Sequence, residues 1–182
     1  MSARLQKYVM SPSTTRITES IVVLLPLRLV LGGLFIFAAY TKISDPQEFV
    51  FNINAYGVFD RETQEHVIKL LGFAIPWAEM IVGVALVLGV WARGAAALLA
   101  LQLFAFTIGI LNVIASGKEL SCGCFGGFNV ICTGDVGWCH AGRNGVLLVL
   151  SALLAWRGAG VASIDGLLTR PRPIVDEDAD EA

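Results

Sequence analysis

The sequence predicts an all-α fold: a transmembrane four-helix bundle with an extracytoplasmic cysteine-rich loop. Three observations lead there. Of 182 residues, 55% are hydrophobic and only 15% charged, where a soluble domain carries roughly a quarter charged; the mean hydropathy is +0.70. The apolar residues gather in four blocks, each near the ~20 residues that cross a hydrocarbon core about 30 Å thick. All four cysteines lie between the third and fourth blocks. A net charge of -2 offers no basic surface for nucleic acid. The length suits one bundle without a second sizeable soluble domain.

Residues 1–20 form a polar arm with Arg4, Lys7 and Arg16. It holds no apolar stretch of the kind a cleaved signal needs, so the first block is expected to stay as an anchor. Residues 21–157 make up the membrane domain, with spans at about 21–41, 70–91, 95–115 and 139–157. The first span carries Arg28 and the small pair Gly32-Gly33, suited to close helix contact, and stops at Asp45-Pro46. Residues 46–69 mix charges with Phe49, Phe51, Tyr56 and Phe59, which predicts one or two short helices at the membrane interface or a lid over the bundle. The second span holds Pro76, Trp77 and Glu79. The third is rich in Ala and Leu, and its polar members Gln102, Thr107 and Asn112 are expected to bond between helices. The fourth is the least apolar and opens with Arg143-Asn144. Trp77, Trp91, Trp138 and Trp156 fall near span ends, as interfacial tryptophans do. Residues 158–182 end in an acidic run, Asp176 to Glu181, and are expected to be a disordered cytoplasmic tail.

Orientation follows the placement of Lys and Arg. The arm, the turn at Arg93 and the tail carry seven; the opposite side carries five, namely Lys42, Arg61, Lys69, Lys118 and Arg143. The bias puts both termini in the cytoplasm of a multi-pass inner-membrane protein. The cysteine loop then faces the oxidising periplasm.

The chemistry is expected in that loop. Cys122 and Cys124 flank Gly123, whose backbone freedom allows a tight ring. A disulfide across one residue is strained, and strained disulfides exchange readily. These two are therefore the candidate catalytic residues of a thiol–disulfide oxidoreductase. Cys132 and Cys139 are placed to form a second disulfide, resolving or structural, although four cysteines allow three pairings. The spacing fits no common zinc pattern, so no metal is expected. Arg143 is positioned to lower a thiol pKa or to anchor the helix at the interface. Arg28 and Glu79, both inside spans, are expected to form an intramembrane polar pair; a quinone head group or a proton path is the functional alternative there.

The motifs also carry a resemblance. Arg28-Leu-Val-Leu-Gly32-Gly, Tyr40-Thr-Lys42, Asp45-Pro46 and Pro76-Trp-Ala-Glu79 resemble the first two helices of DoxX-like membrane proteins. Cys122-Gly-Cys124-Phe-Gly126, with Trp138 and Arg143-Asn144, resembles the methylamine utilisation (MauE) branch. The likeness covers residues 24–157. It implies a four-span bundle and a role in maturing a disulfide-rich protein. It also implies thiol traffic with a periplasmic thioredoxin-like or disulfide-rich partner, and a membrane quinone as electron acceptor. Cys132, Cys139, the long loop and the acidic tail depart from the pattern. The rival expectation is an accessory subunit of a larger membrane complex, held to it by a disulfide-stapled loop.

Overall fold

The structure is a computed structural model that describes residues 20–59, 63–118, 120, 132, 134–158, 160 and 163–165. The N-terminal arm, Cys122, Cys124 and the acidic tail lie outside the described residues. So do the predictions made for them.

Five α-helices are described, with no strand among the described residues. A π-helical turn, Ser20–Leu24, leads into α1, Leu25–Ser44. Helix α2 is Pro46–Ala55, α3 Glu65–Leu88, α4 Ala92–Ala115 and α5 Trp138–Arg157. Four of them, the first counted from Val22, are long and apolar enough to cross a membrane.

Local chemistry sets the boundaries. Asp45 ends α1 and caps α2, its Oδ1 accepting the Glu48 N–H at 3.1 Å, while Pro46 fills the first helical position, where its missing N–H costs nothing. Helix α3 begins at Glu65, one turn ahead of the span start expected near 70, and an exposed Glu65–Lys69 ion pair of 2.6 Å lies along that first turn. It stops at Leu88 because Gly89 turns left-handed, φ 71°, as helix-ending glycines do.

The helices pack as two antiparallel pairs, α1 on α3 and α4 on α5. At the first seam a Cβ on Gly32 would stand 2.8 Å from the Gly83 carbonyl oxygen, and one on Gly83 2.9 Å from that of Gly32. The two backbones touch because neither residue has a side chain. Gly33, the other half of the small pair, faces open space. Past Asp45-Pro46, α2 continues along the first turns of α3: Val50 lies on Gly72, and Phe49 and Ile53 pack with Ile68. The main core joins Leu31, Phe35, Val82, Leu86, Leu99 and Leu154 from four helices.

The outer surface is apolar. Val30, Leu70, Ile81, Leu101, Phe104 and Val146 are each more than half exposed. The buried residues meanwhile include Arg28, Lys42, Glu79, His140, Asn144 and Ser151. Greasy outside and partly polar inside is the arrangement of a bundle dissolved in lipid.

Candidate functional site

Three features could carry function: the stapled base of the cysteine loop, a buried charged cluster in the bundle, and an apolar cavity beside that cluster.

Cys132 and Cys139 are joined by a disulfide, with Cα atoms 5.9 Å apart. Cys139 is the second residue of α5, so the bond ties the loop to the head of that helix. His140 follows, 2% exposed. Its Nδ1 accepts the Gly137 N–H at 3.3 Å, which closes the helix start. The Val136 N–H donates to the Leu120 carbonyl at 2.7 Å and pins the two ends of the loop together. The bond leaves Cys122 and Cys124 as the other two cysteines of the chain. Arg143 is half-buried one turn further along α5.

The buried cluster differs from the expected pair. Glu79 does not meet Arg28; its partner is Lys42, whose Nζ lies 2.7 Å from both carboxylate oxygens. Gln102 Nε2 donates a third bond to Oε1, also 2.7 Å. The two charged side chains are 4% and 1% exposed. The Lys42 ammonium also stands 5.1 Å from the Phe49 ring centre and 5.3 Å from that of Phe106, close enough for cation–π attraction. Across α4 and α5, Asn144 Nδ2 donates to Thr107 Oγ1 at 3.1 Å and to the Leu103 carbonyl at 3.2 Å. A void of about 20 Å³ between Lys42, Glu79 and Asn144 has room for a single water.

The register of α1 on α3 explains the partner. With Gly32 against Gly83, Arg28 lands beside Gly89, ten residues or about 15 Å along α3 from Glu79 at 1.5 Å per residue. Lys42, near the end of α1, falls level with the middle of α3. Helical side chains lean toward their own N-terminus, so in an antiparallel pair Lys42 and Glu79 lean toward each other. Lys42 reads in sequence as a loop-flanking cation. The signal that identifies it as buried is its place on the stripe Arg28, Leu31, Phe35, Ala38 and Lys42, spaced by three and four residues and buried throughout.

Arg28 belongs to the other end of the bundle. There the Asp165 charge acts on it. The Asp165 carboxylate also accepts the N–H groups of Trp91 and Ala92, each at 2.9 Å, and so caps α4 from 73 residues away. The cap holds Trp91 left-handed, φ 48°, a conformation non-glycine residues seldom adopt.

Gln102, Thr107 and Asn112 all bridge elements: Gln102 to α3, Thr107 to α5, and Asn112 Nδ2 to the Tyr56 carbonyl at 3.0 Å. Beside Gln102 lies a cavity of about 290 Å³, lined by residues of α2, α3 and α4 and of the segment after α2. Its wall includes Ile53, Tyr56, Phe59, Ile75, Phe106 and Gly109, and Gln102 and Phe106 also touch the charged cluster. Among the described residues no group of three or more His, Cys, Asp or Glu is placed to hold a metal.

One family model matches, that of the methylamine utilisation protein MauE, over residues 19–157. The match covers every span helix and the cysteine loop; the DoxX-like likeness of the first two helices has no counterpart in it. No curated protein and no solved structure matches the chain.

Proposed function

The chain belongs to the MauE family, and from that membership we propose a membrane-embedded maturation protein that exchanges disulfides through its loop. The observation that carries the reading is the Cys132–Cys139 bond. It accounts for two of four clustered cysteines and fastens the loop to α5, leaving Cys122 and Cys124 as a ready-made pair. A disulfide also favours an oxidising compartment, in agreement with a periplasmic loop, cytoplasmic termini and an inner-membrane location.

In the proposed exchange, a partner thiolate attacks one sulfur of an oxidised Cys122–Cys124 pair and forms a mixed disulfide. A second partner thiolate releases it. The partner leaves oxidised and the loop keeps two electrons as a dithiol. A membrane quinone takes the two electrons with two protons and becomes a quinol. The partner is a periplasmic thioredoxin-like or disulfide-rich protein, and methylamine utilisation is the setting that the family name suggests.

Cys122→Ser tests this. The variant has no Cys122–Cys124 bond to offer, so it should lose exchange and remain folded. Its lone Cys124 thiolate should attack an oxidised partner, expel one partner thiolate and hold the partner as a mixed-disulfide band on non-reducing gels. An impermeant maleimide should label reduced Cys122 and Cys124 in intact spheroplasts. Labelling only after the membrane is opened would reverse the topology. A second reading, a docking subunit of a larger membrane complex, draws on the same staple. Under it Cys122→Ser loses assembly and traps nothing.

A further inference from the structure

The cavity between α2, α3 and α4 is unused by the loop chemistry, and its walls select a ligand. Apart from Gln102 its lining is apolar or aromatic. At about 290 Å³ it sits near the lower bound, about 300 Å³, of small-molecule pockets. That is ample for one substituted ring, since a cavity of about 150 Å³ holds benzene. A long chain would have to trail outside, and the exposed rim residues Val58 and Ala105 leave a way in from lipid.

The orientation of Gln102 sets the polarity. Its amide lies against the Glu79 carboxylate, which can only accept hydrogen bonds while ion-paired with Lys42. The Gln102 nitrogen must therefore face Glu79, as the 2.7 Å bond records. The acceptor left to the amide is its carbonyl oxygen, to which nothing among the described residues donates. A ligand satisfying that oxygen must carry a donor. The aromatic side chains of Tyr56, Phe59 and Phe106 favour a flat ring.

We propose that this cavity binds the ring of a membrane-soluble hydroxyaryl compound, of the quinol class, with a ring hydroxyl donating to Gln102 Oε1. The site prefers the reduced, donor-bearing ring over the oxidised one, whose oxygens only accept. The Lys42–Glu79 pair acts through Gln102 as a positioning group that holds the amide in its acceptor-outward pose. The proposal gives the quinone step of the preceding reading a location, and its test uses no cysteine chemistry.

The test uses the full chain in neutral detergent under anaerobic conditions. The probes are trimethylhydroquinone, its dimethyl ether and trimethylbenzoquinone, and binding is followed calorimetrically. The hydroquinone should bind about tenfold more tightly than either donorless probe, the factor carried by one ordinary hydrogen bond. Gln102→Leu should remove that preference. A Cβ at Gly109 meets the Tyr56 ring at 3.7 Å, an ordinary contact. Gly109→Leu can therefore be built into the cavity, and it should weaken all three probes at least tenfold. If Gln102→Leu fails to accumulate, Gly109→Leu and the dimethyl ether comparison still decide. Equal affinity for the three probes, unchanged binding in Gly109→Leu, or no binding would each overturn the proposal. Cys122→Ser should bind the hydroquinone normally, so the site and the exchange reaction can fail separately.

Discussion

Lys42→Met removes the ammonium but keeps a chain long enough to fill the space against Phe49 and Phe106. Glu79, 1% exposed, is then left with Gln102 as its single donor. Breaking a buried ion pair from one side costs about 3–5 kcal/mol. The lower end, about 3 kcal/mol, is expected here because Gln102 still donates to the carboxylate. For a chain of this size that lowers Tm by roughly 6–12 °C, at 2–4 °C per kcal/mol. The double variant Lys42→Met/Glu79→Met removes both charges and should recover most of the loss, because a buried pair replaced by apolar side chains is often neutral. The assay is thermal unfolding of detergent-purified protein at one fixed scan rate, followed by circular dichroism. Arg28→Leu supplies the contrast: it leaves both donors of Glu79, Lys42 and Gln102, in place, and its effect should add to that of Glu79→Met without coupling. The reasoning is refuted if Lys42→Met melts within ~2 °C of the parent, a shift corresponding to less than about 1 kcal/mol, or if the double variant melts as low as the single.

Three further outcomes follow from the backbone. Gly83→Ala places a methyl 2.9 Å from both the Gly32 carbonyl oxygen and Ile36 Cγ1; it should cost about 1–3 kcal/mol by forcing the α1–α3 seam apart. Gly33→Ala meets nothing within 4 Å and should be neutral or slightly stabilising in the same melts. Asp165→Ala uncaps α4 and should cost about 0.5–2 kcal/mol, with faster amide exchange at Trp91 and Ala92 as the local readout.

The four membrane helices were legible because a bilayer imposes one strong demand: unbroken apolar length with every backbone group bonded inside its own helix. That constraint is local, and so are the signals that end the helices, Asp45-Pro46 and Gly89. The clustering of the cysteines was equally plain, and the Cys132–Cys139 bond was among the pairings the spacing allowed. Residues 46–69 read as one or two short interfacial helices; α2 fills the first part of that stretch, and Glu65 to Lys69 form the opening turn of α3.

Composition and spacing alone determined a four-span bundle with its cysteines in one loop. Only packing decided which charges meet. Arg28 and Glu79 are both conspicuous in apolar runs, yet Arg28 lies beside Gly89 at one end of the bundle while Glu79 takes Lys42 and Gln102. That choice depends on how far one helix slides along another, and the slide is set where Gly32 and Gly83 let two backbones touch. The cavity beside Gln102 has the same origin: it is the space left between three helices, and no stretch of the chain encodes it by itself.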